Sequence, residues 1–245
     1  LDEGFLRRLR SYTEGLKPEF FLLGEMLHGD YNRLMNDSML HSATNYECYK
    51  GLFSSFNSMN LFEIVHSLLR QFGPENWTLY KGKHLLSFVD NHDVTRVASI
   101  LSNEKHLPLI YALAFGMPGI PCVYYGSEWG TKAEKSQGDP ALRPDFEEPE
   151  WNELTDWIKK LSAAKRQSHG LNYGAFRSVL LTNKQCIFER KSEQERVLVA
   201  INAEDHDFVA HFDAGCGTAV DLISGEKHDF GGGSVLPAYS AYFWK

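Results

Sequence analysis

The sequence predicts an α/β fold with a parallel sheet, followed by a separate all-β part. Up to residue 169, short apolar runs alternate with stretches of helical period, the pattern of right-handed βαβ units. From residue 170 onward the helical periods stop and short strands follow one another across turns, as in a small antiparallel sandwich. The 245 residues would suit one complete (β/α)8 barrel of about 250, but the stretch before residue 170 holds strand and helix units for only half of one. Two domains are therefore expected, 1–169 and 170–245.

The elements follow in order. LDEGFLRRLRSY places Leu1, Phe5, Leu6, Leu9 and Tyr12 on one helical face, with Asp2 as its N-cap. Phe20 to Leu23 is a continuous apolar run that suits a strand buried on both faces. One more strand is expected within residues 39–53. Asn60 and Glu63 have capping-box spacing, Leu61, Ile64, Val65, Leu68, Leu69 and Phe72 form the apolar face behind them, and Gly73-Pro74 stops the helix. Leu85 to Val89 reads as a buried strand, residues 104–115 as a helix ended by Gly116 and Pro118, and Ile120 to Tyr125 as a strand. Leu154, Trp157, Ile158 and Leu161 mark the last helix of this part.

Beyond Gly170 the expected strands are Phe176 to Thr182, Cys186 to Lys191, Arg196 to Asn202, Phe208 to Phe212, Thr218 to Leu222 and Tyr239 to Trp244. Asn183-Lys184 and Gly231-Gly232-Gly233 supply turns.

Composition narrows the partners. The net charge of −7, from 25 basic and 32 acidic side chains, argues against a phosphate-backbone partner, so no nucleic acid is expected. No apolar run approaches the roughly 20 residues of a membrane span, so no membrane partner is expected either. Cys48, Cys122, Cys186 and Cys216 lack the spacings of a zinc site or a disulfide scaffold and read as reduced structural thiols, which favours a cytoplasm over secretion. No acidic run resembles a calcium loop, and neither a metal nor a cofactor is assigned.

Glu25 follows one predicted strand directly, and Asp93 follows another through Asp90, Asn91 and His92. Both acids thus stand at the carboxyl ends of parallel strands, where α/β barrels carry their chemistry. Cleaving an acetal needs one carboxylic acid to protonate the departing oxygen and another carboxylate to meet an oxocarbenium-like centre, so this pair suits glycoside hydrolysis. Taken singly, each acid also reads as a solvated loop residue, and His92 as a histidine satisfying loop backbone. Tyr124, Tyr125 and Trp129 could stack on sugar rings or simply fill the core.

FFLLGEMLHGD and FVDNHDVTR, in that order, resemble two short sequences of the α-amylase family, glycoside hydrolase family 13. GMPGIPCVYYGSEWG resembles that family's eighth-strand stretch, and DLISGE with LPAYSAYFW its C-terminal sandwich. The likeness runs along nearly the whole chain and is nearest to the cyclomaltodextrinase and neopullulanase branch or small bacterial amylases. It implies the C-terminal half of a (β/α)8 TIM barrel followed by an antiparallel β-sandwich, acting on α-1,4-linked glucose in starch, maltooligosaccharides or cyclodextrins. By the resemblance, Glu25 is the general acid/base and Asp93 the transition-state stabiliser. His92 and Asn91 bind the same sugar, and Asp139 and Arg143 contact the glucose units beyond it.

The chain departs from the pattern at several places. Leu27 stands where the family often has Trp, and Ser127 replaces the Asp of YYGDE. The family's nucleophile, an Asp in an Arg-x-Asp motif, precedes a helix that looks like LDEGFLRRLR, so it is expected upstream of residue 1. A noncatalytic carbohydrate-binding or structural relative is therefore the alternative. A half barrel would also expose strand edges, so a homodimer or a complementing N-terminal segment is an expected partner.

Overall fold

The computed structural model describes residues 2–245; Leu1, assigned above to the first helical face, lies outside them. Helix α1 (Glu3–Leu16) starts where Asp2 accepts a hydrogen bond from the Phe5 amide at 2.6 Å, the N-cap that the sequence predicts. Its predicted apolar face is only partly used. Leu6 is buried, but Phe5 and Tyr12 are exposed, because few neighbouring elements among the described residues lie over that side.

Four short parallel strands form an arc. β1 (Leu23–Gly24) pairs with β2 (Ser42–Ala43), and β3 (Leu86–Phe88) pairs with β4 (Ile120–Cys122), both parallel. A single bridge between Thr44 and Leu86 joins the two pairs. Thr44 also accepts the Met26 amide on its hydroxyl at 2.9 Å, tying the exit of β1 to the end of β2. The doubly buried strand expected at Phe20 to Leu23 is corrected: Phe20, Phe21 and Leu23 are exposed and pairing begins only at Leu23. β1 pairs with β2 alone among the described residues, so its other edge has no strand partner there.

Residues 39–53 hold β2 and then the start of α2 (Tyr46–Asn57), a helix that the sequence reading missed. Asn45 decides the switch by accepting the Cys48 amide at 3.2 Å. The predicted capping box of α3 (Phe62–Phe72) does not form. Leu61 occupies the N-cap without a side-chain bond, and the Glu63 carboxylate instead accepts from the Ser54 hydroxyl on α2 at 2.9 Å. The contact between helices has displaced the local one. The apolar face of α3 is as predicted, with Leu61, Ile64, Val65, Leu68 and Phe72 buried.

Short α4 (Val97–Ile100) follows β3, and α5 (Leu107–Gly116) is buried along nearly its whole length. Gly116 permits that burial, since a Cβ there would meet Val199 at 2.8 Å. After β4 come α6 (Asp139–Leu142), α7 (Glu153–Gln167) and α8 (His169–Tyr173). α7 carries the capping box that α3 lacks, between Asn152 and Thr155.

The remaining chain is antiparallel. β5 (Ala175–Leu181), β6 (Gln185–Lys191), β7 (Arg196–Asn202) and the last strand, β12 (Ser240–Trp244), form a sheet in the order β12-β7-β6-β5. Between β7 and β12, β8 (Phe208–Ala210) pairs with β11 (Ser234–Leu236), and β9 (Thr218–Val220) with β10 (Lys227–Asp229). β10 and β11 went unpredicted because each is three residues beside the glycine turn. One apolar core runs from α2, α3 and α5 into β6, β7 and β12, through Phe56, Leu68, Leu113, Phe188, Val199 and Phe243.

Cys48 and Cys186 are buried, as structural thiols should be, whereas Cys122 and Cys216 are exposed; all four are free. No helix among the described residues is long and apolar enough to cross a membrane.

Candidate active site

The loops that leave the carboxyl ends of β1 to β4 converge on one hydrogen-bonded line of side chains. Glu25, directly after β1, accepts on Oε1 from the Tyr46 hydroxyl at 3.0 Å. Tyr46 begins α2 just beyond β2, and its hydroxyl accepts from Asn91 Nδ2 at 2.9 Å. Asn91 in turn accepts the Asp93 amide on Oδ1 at 2.8 Å, a local turn that fixes how the Asp93 carboxylate leaves the loop.

That carboxylate is held from two sides. Arg143 Nη2 donates to Asp93 Oδ1 at 2.9 Å, and His92 Nε2 lies 3.4 Å from Asp93 Oδ2. Arg143 also reaches the His92 carbonyl at 3.3 Å and lies 3.6 Å from Asp139. The six residues singled out from the sequence, Glu25, Asn91, His92, Asp93, Asp139 and Arg143, thus fall on one connected network, with Tyr46 as its central link. Burial pushes the Tyr46 phenol up from its ordinary pKa, as do its bond to Glu25 and the nearby Asp93, while the Asn91 bond opposes them. The phenol therefore stays protonated and able to donate.

A second, buried layer supports this surface. Asp90 accepts the Val97 amide at 2.8 Å and the Ser127 hydroxyl at 2.7 Å on the same oxygen. Burial raises its pKa to about 6 despite those bonds. Arg96, fully buried, donates to Ser127 Oγ at 2.9 Å, to the Leu142 carbonyl at 2.8 Å and to the Tyr125 carbonyl. One guanidinium thus ties the loop after β3 to the loop after β4 and to the residue before Arg143. Tyr124 lies under Arg96, with its ring centroid 4.2 Å from the guanidinium carbon and 6.3 Å from the His92 ring. Trp129 packs edge-on against Phe146, and both are partly buried.

The sequence reading missed Tyr46, Asp90 and Arg96 as site residues. For Tyr46 a signal existed, its position just past a parallel strand, but the helix it opens was not recognised. Asp90 and Arg96 lie inside FVDNHDVTR and were overshadowed by Asn91, His92 and Asp93 between them.

Two carboxylates and an imidazole presented from strand ends can exchange a proton with a departing oxygen and face a developing positive centre. Tyr46 also lines a cavity of about 760 Å³, together with Leu27, Tyr31, Glu47, Lys50 and Arg70, a size that suits a sugar-sized ligand; Glu25 itself is not part of its wall. No three side chains of His, Cys, Asp or Glu come together to hold a metal ion among the described residues.

Comparison with known proteins gives a consistent picture. The family described as "Alpha amylase, catalytic domain" matches residues 2–195. The cyclomaltodextrinase of Geobacillus thermopakistaniensis is 24% identical over 243 residues, 93% of this chain and 39% of that protein. The intracellular maltogenic amylase of Bacillus subtilis is 27% identical over 180 residues, 70% of this chain and 29% of its own length. The chain therefore spans about two fifths or less of these curated relatives. Among solved structures, an Anoxybacillus α-amylase superposes with a TM-score of 0.81 at 21% identity, over 100% of this chain and 56% of the other.

Proposed function

Since the chain belongs to the α-amylase catalytic-domain family, we propose that it forms the acid/base-bearing part of a retaining α-glucan hydrolase. Its substrates are α-1,4-linked glucans: starch, maltooligosaccharides or cyclodextrins. The observation that carries this reading is the line from Glu25 through Tyr46 and Asn91 to Asp93 across the carboxyl ends of β1 to β3.

In this reading Glu25 protonates the glycosidic oxygen and then deprotonates the incoming water. Asp93, steadied by Arg143, accepts hydrogen bonds from sugar hydroxyls next to the bond being broken, and His92 and Asn91 bind the same ring. Asp139 and Arg143 contact the glucose units beyond. Retention needs a second carboxylate about 5 Å from the first. We assign it to a segment upstream of α1, where the family resemblance puts it.

The same reading takes β1 to β4 as the C-terminal half of a (β/α)8 barrel in residues 1–169, and residues 170–245 as a β-sandwich domain. The edge of β1 left without a strand partner among the described residues supports docking of the upstream half barrel, or failing that a second copy of the chain.

The test compares the full-length protein with its Glu25→Gln form on maltooligosaccharides and cyclodextrin. Loss of turnover with retained sugar binding is expected. Equal turnover by the two forms removes the assignment, and sugar binding without turnover in the parent points to a noncatalytic relative.

A further inference from the structure

At the opposite ends of β3 and β4 from the candidate active site lies a cavity of about 600 Å³, between the parallel arc and the antiparallel sheet. Its charge is inverted relative to the chain. Lys81, Lys83, Arg177, Arg190 and Lys191 line it together with His84, against the single carboxylate of Glu189, in a protein with 32 acidic and 25 basic residues. Glu189 is already engaged, with Arg177 at 3.2 Å and with Arg196 at 2.5 Å.

Arg190 is buried with no carboxylate in reach among the described residues. Its guanidinium meets only the Gly116 carbonyl at 2.8 Å and the Gly174 carbonyl at 3.0 Å. Lys165 behind it is buried too, and donates only to the carbonyls of Leu171 at 2.8 Å and Met117 at 3.3 Å. A buried guanidinium without a counter-ion is costly, and an anion seated beside Arg190 would offset that cost, whereas burial and then the neighbouring Arg190 push the Lys165 ammonium well below its usual range. His84 reports their proximity, held below the usual imidazole range by burial and by repulsion from Lys165 and Arg190. Lys81 and Lys83 are tethered to backbone oxygens of Pro74 and Met35, whereas the Lys191 ammonium has no ion pair among the described residues and is free to reach a ligand.

The cavity also has a flat, accessible aromatic wall. Tyr173 is 66% exposed and is braced by His169, whose ring centroid is 4.9 Å away, and by the edge contact of His84 at 5.6 Å. Ring faces of this kind suit the C–H faces of a pyranose. The volume exceeds that of a bare oxyanion and lies within the usual range of about 300–1,000 Å³ for small-molecule sites.

We propose that this cavity binds a phosphorylated monosaccharide, with Lys191 facing the phosphate, Arg190 adding its charge from within the wall, and Tyr173 facing the sugar ring. A dianion is favoured over a monoanion because, with Arg177 paired to Glu189, the other four basic side chains of the lining have no carboxylate partner among the described residues. The site is independent of the hydrolase reading, for it shares no residue with the Glu25 network.

The experiment is calorimetric titration of the full chain, in a buffer free of phosphate, with a hexose 6-phosphate, the neutral hexose and inorganic phosphate. The hexose phosphate should bind about tenfold or more tighter than either part alone. Lys191→Glu and Tyr173→Ala, both at exposed positions and each checked for an unchanged unfolding midpoint, should each weaken it by about tenfold. Absence of saturable binding, equal binding of hexose and hexose phosphate, or unchanged affinity in both variants would overturn the proposal. Binding of inorganic phosphate alone, as tight as the ester and insensitive to Tyr173→Ala, would reduce it to an adventitious ion only.

Discussion

The Tyr46 hydroxyl stands between Glu25 and Asn91, donating to one at 3.0 Å and accepting from the other at 2.9 Å. Since Asn91 also fixes the Asp93 amide, a single phenol couples the positions of the two acids assigned to catalysis. Tyr46→Phe keeps the ring packing against Phe88 and removes only this link. The expected result is a loss of about 0.5–1.5 kcal/mol of transition-state stabilisation, read as a fall in kcat/KM of the full-length enzyme of about 2–15-fold. An unchanged kcat/KM would show that the acids are placed without it.

Arg143 steadies Asp93 in a setting open to solvent, with both side chains more than 40% exposed. Screening leaves such a pair little weight in stability. Arg143→Ala should therefore leave the unfolding free energy within about 0.5 kcal/mol while raising KM for maltooligosaccharides. A large fall in stability with unaltered KM would contradict the binding role.

Asp90 titrates with folding. Burial raises its pKa to about 6 from 3.8, so between those values the folded protein holds a proton that the unfolded chain has lost. Stability from this group is therefore full below pH 4, declines as pH rises toward 6 and is flat above. The whole change is about 3 kcal/mol. Asp90→Asn removes that decline, so the difference in unfolding free energy between variant and parent should grow in the variant's favour from pH 4 to 6. Urea unfolding across that interval measures it.

Arg96 has a different weight, because it is buried and bonded to three separate loop positions. Arg96→Gln should cost about 3–5 kcal/mol. Arg96→Lys should not rescue it, since one ammonium lacks the planar fork that reaches these acceptors. Chemical denaturation of the three proteins checks both statements.

The two helix starts make a matched pair. Asn152 accepts the Leu154 and Thr155 amides, and Asn152→Ala should cost about 1 kcal/mol. Asn60 makes no such bond at the start of α3, so Asn60→Ala should stay within about 0.5 kcal/mol.

What could be read from the sequence depended on how local its cause was. Periodicity identified the α3 face and the β5 to β7 strands because each is written within one element. The residues later found on the Glu25 network were reached through motifs, yet their joining residue, Tyr46, was not, because β2 ends at Ala43 and Asn45 already caps α2 two positions later. The false capping box at Asn60 failed for the opposite reason. Its spacing was right, but Glu63 had a better partner on α2, nine residues earlier in sequence and invisible to any local rule. Exposure of Phe20 and Phe21 likewise depends on what lies beside β1, which hydrophobicity alone does not specify.

The Thr44–Leu86 bridge carries a mechanical consequence. Among the described residues it is the only ladder contact between the strand pair that holds Glu25 and the pair that holds Asp93, so the aperture between acid and stabiliser is set at the thinnest line of the arc.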